Sequence, residues 1–164
     1  MGGNRSFKCY HAVMEEALGS WRQDGRVSLW RYRKARKMHD GWHFSADEEA
    51  CVCLIKLLDI LCGATEPAYR TLSVTHPQKV GADRIFGDHD LQLEVPAKLR
   101  LGNDLDGTGS IGLSNDVFVM PLRPVDISNL SEAVRDVSVD HADFGLSFGT
   151  SDTLVRFWWW PKKR

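Results

Sequence analysis

Between Ser45 and Gly63 the chain carries one sustained apolar stripe, and this stripe limits the available folds more than any other feature. Cys51, Leu54, Ile55, Leu58, Leu61 and Cys62 recur at the three- and four-residue spacing of a single helix face. Ser45 and Glu48 have the form of a capping box, and Gly63 supplies the stop. A helix with such a face has to bury it against another element. The spacing therefore predicts that Leu54, Ile55, Leu58 and Leu61 face a sheet.

Two other segments share the helical period. Phe7, Tyr10, Val13, Met14, Ala17, Leu18 and Trp21 predict an amphipathic helix over 6–22, ended by Asp24-Gly25. Ile127, Leu130, Ala133, Val134 and Val137 predict another, started by Asp126 or Ser128. Elsewhere the pattern alternates. Val27, Leu29, Trp30 and Tyr32 suggest a strand, with Asp40-Gly41 as a tight turn into Trp42-His43-Phe44. Tyr69, Leu72 and Val74 suggest a second, stopping before His76-Pro77, and Val80 to Asp90 reads as a loop. Leu91 to Leu101 reads as a strand interrupted at Pro96, which belongs at an edge or a bulge. Val117 to Leu122 and the alternating Phe144, Leu146 and Phe148 follow, and after the turn at Gly149 to Asp152 the chain returns as a last strand. Short strands with few inserted helices predict an α+β fold: a mainly antiparallel sheet with two or three helices packed largely on one face. At 164 residues and 43% hydrophobic content the chain suits one domain, with residues 1–25 as an N-terminal helical segment and 26–164 as the body.

The last strand runs into Phe157-Trp158-Trp159-Trp160, followed by Pro161 and Lys162-Lys163-Arg164. Alternation puts Phe157 and Trp159 on one face and Trp158 and Trp160 on the other, so both faces need cover. Pro161 and the three cations are residues that blunt a sheet edge. One tryptophan pair is thus expected to be buried, with at least one of Trp158 and Trp160 partly accessible.

The overall charge of −1 hides an asymmetry. Residues 1–43 carry a net +5, residues 44–155 a net −10, and residues 156–164 a further +4. Such a distribution steers partners of opposite charge. Cys51-Val52-Cys53 lacks the two-residue spacer of a zinc knuckle, and Cys51, Cys53 and Cys62 lie in the apolar helix, where thiols act as small hydrophobes. There is no apolar run of the roughly 20 residues that a membrane span needs, and residues 1–6 lack the apolar core of a secretory signal. A reducing cytoplasm without disulfides is the expected setting. Membrane attachment would require lipidation: Met1-Gly2-Gly3-Asn4-Arg5-Ser6 fits the pattern for myristoylation at Gly2, with Lys8, Cys9 and the basic run at 31–37 as second signals.

Several enzyme motifs match in letters and fail in context. Gly107 to Gly112 has dinucleotide-binding spacing, but a strand-like run follows where a helix N-terminus is needed. Gly145-Leu146-Ser147-Phe148-Gly149 resembles a nucleophile elbow, yet no histidine follows Ser147. Asp143-Phe144-Gly145 lacks the other kinase segments, and Asp104 with Asp106-Gly107 would place Gly102 and Leu113 at calcium-ligand positions. Histidine beside carboxylate recurs at His39-Asp40, Asp88-His89-Asp90 and Asp140-His141, all at expected turns, where these residues serve solvation and turn geometry.

Three function classes remain. The first, preferred over turnover, is a protein-binding module for a basic partner, with an acidic surface and Trp42, Trp158, Trp159 and Trp160 as anchors. Immunity or antitoxin proteins that mask basic nucleases offer an example on size and charge alone. The second is a metal-assisted hydrolase built on His39, His89 and His141. The third is a nucleic-acid-binding module in which Trp30, Arg31, Tyr32, Arg33, Lys34, Arg36 and Lys37 combine stacking with phosphate neutralisation. No metal or nucleotide cofactor is expected.

Overall fold

The period-two and helical stretches become nine strands and four helices in the computed structural model, which describes residues 3–34, 39–82 and 92–161, with the backbone alone for 3–11. In chain order they are α1 (Gly3–Ser20), β1 (Val27–Tyr32), β2 (Trp42–Ala46), α2 (Glu48–Gly63), β3 (Tyr69–Ser73), α3 (Pro77–Val80), β4 (Leu93–Glu94), β5 (Lys98–Asn103), β6 (Gly112–Ser114), β7 (Val117–Leu122), α4 (Pro124–Ser138), β8 (Phe144–Phe148) and β9 (Thr153–Phe157). The fold is α+β and mostly antiparallel. The strands divide into two mixed sheets, ordered β4-β1-β2-β9-β8 and β3-β5-β7-β6. Two pairings are parallel, β2 with β9 and β5 with β7. Pro96 lies between β4 and β5, where the chain leaves one sheet for the other. A residue without an N–H suits such a break in the ladder.

One core joins both sheets with α2 and α4. Leu29, Phe44, Val155 and Phe157 of the first sheet meet Leu99, Leu101 and Met120 of the second, with Leu54 and Leu58 of α2 and Leu130 and Val134 of α4 between them. The gap left where they converge is about 10 Å³, at the limit of what one water needs. Trp42 of β2 crosses between sheets, its ring centroid 4.4 Å from that of Phe118 on β7.

The apolar stripe of α2 forms the helix, with two corrections. The N-cap is Asp47, which accepts from the Ala50 N–H at 3.0 Å, while Ser45 is still in β2 and donates to the Trp159 carbonyl at 3.2 Å. The buried face is Ala50, Cys51, Cys53, Leu54, Leu57, Leu58 and Leu61, whereas Ile55 is half-buried and Cys62 exposed. Helix α4 likewise starts earlier than expected, at Pro124, because proline suits the first turn, where no N–H is needed. Asp126 sits inside the helix, and its carboxylate accepts from the Arg123 Nε at 2.7 Å.

The connection from β1 to β2 runs from Arg33 to Gly41 and is longer than a two-residue turn, although Gly41 has the positive φ of 81° that its position in the turn implied. The end of α1 is tied to α2 by Trp21, whose Nε1 donates to the Cys53 carbonyl at 3.1 Å. Among the described residues no helix is long and apolar enough to cross a membrane.

Candidate functional site

Strand β1 is buried on both faces, and so is β2. Their inner residues join the core, while Trp30, Tyr32 and Trp158 form a second cluster with Ala82 on the opposite side. His43 sits in the middle of this cluster without solvent exposure. Its ring stacks between Trp30, at 5.5 Å, and Trp158, at 5.9 Å, and meets Tyr32 edge-on at 5.1 Å. The Trp158 Nε1–H donates to His43 Nδ1 at 2.9 Å, so the ring proton lies on Nε2, which donates to the His39 carbonyl at 3.1 Å. Burial pushes the His43 pKa down from 6.5 to about 4. This imidazole is a fixed neutral post that holds the aromatic end in place.

That arrangement decides the fate of each expected anchor. Trp42 is buried because positions 42, 44 and 46 of β2 face the core, and Trp158 is buried against His43. Neither is an exposed anchor, which corrects the expectation for both. The strand itself ends at Phe157, so the simple alternation of faces does not extend through the tryptophans. Trp159 is 40% exposed and Trp160 half-buried.

Trp160 forms one wall of a cleft of about 350 Å³ between the start of α2 and the end of α4. Asp47, Glu48, Glu49 and Asp140 contribute carboxylates, and Arg26 closes one side. The Arg26 guanidinium lies 5.2 Å from the Trp160 ring centroid, and its Nε is 3.2 Å from Asp47 Oδ2. Glu48 and Glu49 are exposed in the first helical turn, where the helix dipole favours negative charge. Of this site, sequence reasoning found only Trp160. The carboxylates were legible as the run Asp47-Glu48-Glu49, but its meeting with residue 140 and residue 160 is a tertiary fact.

The basic run is a different matter. Arg31, Tyr32, Arg33 and Trp42 line an open groove of about 540 Å³ with Asp40 and Glu94. Arg31 pairs with Glu94 and its guanidinium lies 4.9 Å from the Trp42 centroid, while Trp30 and Tyr32 are buried. Those two rings offer no face to a base, which corrects the stacking expectation. Asp40 pairs with Arg156 at 2.6 Å, and this guanidinium holds its carboxyl below the usual range. Arg33 and Lys34 are exposed, and Arg36 and Lys37 lie outside the described residues.

His39 is buried beside Tyr32, His141 is exposed after α4, and His89 lies outside the described residues, as do Gly2 and its lipidation pattern. Among the described residues no group of three His, Cys, Asp or Glu could hold a metal ion. Ser147 is exposed on β8 and is followed by a turn, not a helix. Burial raises the Cys51 thiol to about 12, so it is no nucleophile. No known family model, curated protein or solved structure matches the chain at a significant level.

Proposed function

We infer that this chain is a binding module, without catalytic chemistry, that engages a basic protein partner through the cleft at the start of α2. The observation that carries this reading is the Arg26 guanidinium, which lies over Trp160 while paired with Asp47. The cleft thus holds a cation by the two contacts that a partner's arginine would need, an aromatic face and a carboxylate. Helix stability accounts for Glu48 and Glu49 at an N-terminus, but it does not call for a half-buried tryptophan beside them. The net −10 over residues 44–155 would steer a basic surface toward the chain. A masking role of the immunity or antitoxin kind is the narrower form of this proposal, and it rests on size and charge.

The test is a titration with a fluorescent arginine-rich peptide, compared with an acidic peptide of equal length. Binding is expected for the basic peptide alone, falling with added salt. Trp160→Ala should weaken it by about 0.5–2 kcal/mol, the range of a cation–π contact. The triple change Glu48→Gln, Glu49→Gln and Asp140→Asn should remove most of the salt dependence. Equal affinity for both peptides, or no effect of either variant, would overturn the proposal.

A further inference from the structure

The cleft at the start of α2 already holds a guanidinium, and it belongs to this chain. Asp47 is buried and fixed by backbone: its Oδ1 accepts from the Ala50 N–H at 3.0 Å and from the Arg26 N–H at 2.9 Å, and its own N–H donates to the Arg26 carbonyl at 3.1 Å. The carboxylate therefore keeps its orientation whatever the Arg26 side chain does. Its other oxygen, Oδ2, lies 3.2 Å from the Arg26 Nε, and the Trp160 ring centroid lies 5.2 Å from the same guanidinium. An indole and a carboxylate oxygen thus make one seat for one planar cation.

The occupant is loosely held. The Arg26 side chain is 54% exposed, and among the described residues its one hydrogen bond is the contact through Nε, with none from the terminal nitrogens. Exposed pairs of this kind add little to stability. The junction of β1 with α2 uses the backbone N–H and carbonyl of residue 26, which any residue but proline offers. Neither the helix cap nor the junction calls for an arginine side chain.

We propose that Arg26 is a placeholder for an arginine of the basic partner, which displaces it and takes the seat between Trp160 and Asp47. That role rests on the cleft being the partner site, and it gives the residue recognised there and the side chain that competes with it. In the free chain Arg26 covers the indole and pairs with Asp47, and in the complex it turns out to solvent. Arg26 uses its Nε on Asp47 and, among the described residues, pairs with neither Glu48 nor Glu49. A partner's arginine can instead set its fork on Asp47 Oδ2 and a glutamate lining the same cleft. A lysine fits less well, because a hydrated point charge neither stacks on the indole as a plane nor bridges two acceptors as a fork.

The test titrates labelled arginine-rich and lysine-rich peptides of equal length and charge against the wild type, Arg26→Gln, Arg22→Gln, and Trp160→Ala with and without Arg26→Gln. Arg26→Gln should tighten the arginine peptide by about 2- to 30-fold, the range of a cation–π contact. Arg22 is exposed after α1 and lies outside the cleft, so Arg22→Gln removes the same charge and should change the affinity by less than about twofold. The gain from Arg26→Gln should vanish in the Trp160→Ala background, and the wild type should hold the arginine peptide more tightly than the lysine peptide. Circular dichroism checks folding; if Arg26→Gln misfolds, Arg26→Ala decides, since both keep the backbone contacts to Asp47. If the wild type binds the arginine peptide and Arg26→Gln binds it no better, the placeholder role is overturned while the cleft remains the partner site; if neither binds it, both fall. An equal gain in Arg22→Gln, a gain that survives in Trp160→Ala, or equal affinity for the two peptides would also overturn it.

Discussion

His43 is held by two hydrogen bonds of opposite sense, accepting at Nδ1 and donating at Nε2. Protonation puts a second donor at Nδ1, opposite the indole N–H of Trp158, inside a buried site. With the folded pKa at about 4 against 6.5, the neutral ring contributes stability that is complete above pH 6.5 and is lost as pH falls toward 4. The loss amounts to about 3 kcal/mol for a shift of this size. Asp126 acts in the same direction, because Arg123 lowers its carboxyl pKa against the cost of burial. Its contribution is present above the ordinary carboxylate range and fades as acid protonates it. Urea midpoints measured between pH 7 and 4 should therefore fall steadily, and His43→Phe should flatten the upper part of that slope while lowering the midpoint at pH 7. A midpoint independent of pH between 7 and 5 in the wild type would contradict this account.

At the scale of elements, α2 depends on a cap and a face. Asp47 accepts from the Ala50 N–H at 3.0 Å and from the Arg26 N–H at 2.9 Å, so it ties the helix start to the beginning of β1. Asp47→Ala should cost about 1–2 kcal/mol, at the upper end for a helix cap. Gly25 has a φ of 71°, and a side chain there would run into Asp47 Oδ1 and Ala50 N, so Gly25→Ala should disturb the same junction. On the helix face, Leu58 is fully buried and lines the gap where both sheets meet. Leu58→Ala should cost on the order of 2–5 kcal/mol, and denaturant unfolding checks it. Ile55→Ala should cost less, since Ile55 is half-buried. The strand and helix periods of the sequence foretold these elements well. They misplaced helix starts by two to five residues, because several residues near a boundary can cap and only the tertiary path selects one. Ser45 looked like the cap until β2 claimed it.

Over the whole molecule, the shared core has a thermodynamic consequence. Side chains from both sheets, α2 and α4 form one cluster, and Trp42 bridges to Phe118. Loss of either sheet would expose the inner face of the other. Thermal unfolding followed by far-UV and near-UV circular dichroism should give one coincident transition, with equal calorimetric and van't Hoff enthalpies. Two separated transitions would show that the sheets fold independently.

The α+β class, most strands, the stripe of α2 and the aromatic end were determined by the sequence alone, because periods of 2 and 3.6 record which side of an element avoids water. Only the tertiary structure decided which aromatics are anchors and which are core. Trp42 and Trp160 have the same side chain, but one packs on Phe118 between two sheets and the other lines an acidic cleft. His39 and His43 illustrate the same limit. The turn expected at Asp40-Gly41 did not reveal that the His39 carbonyl meets the His43 ring. The division into two sheets, the parallel seat of β9 between β2 and β8, and the meeting of residues 26, 48, 140 and 160 join positions far apart in the chain. Local patterns encode burial, whereas the partner in a contact is set by the packing of the whole chain.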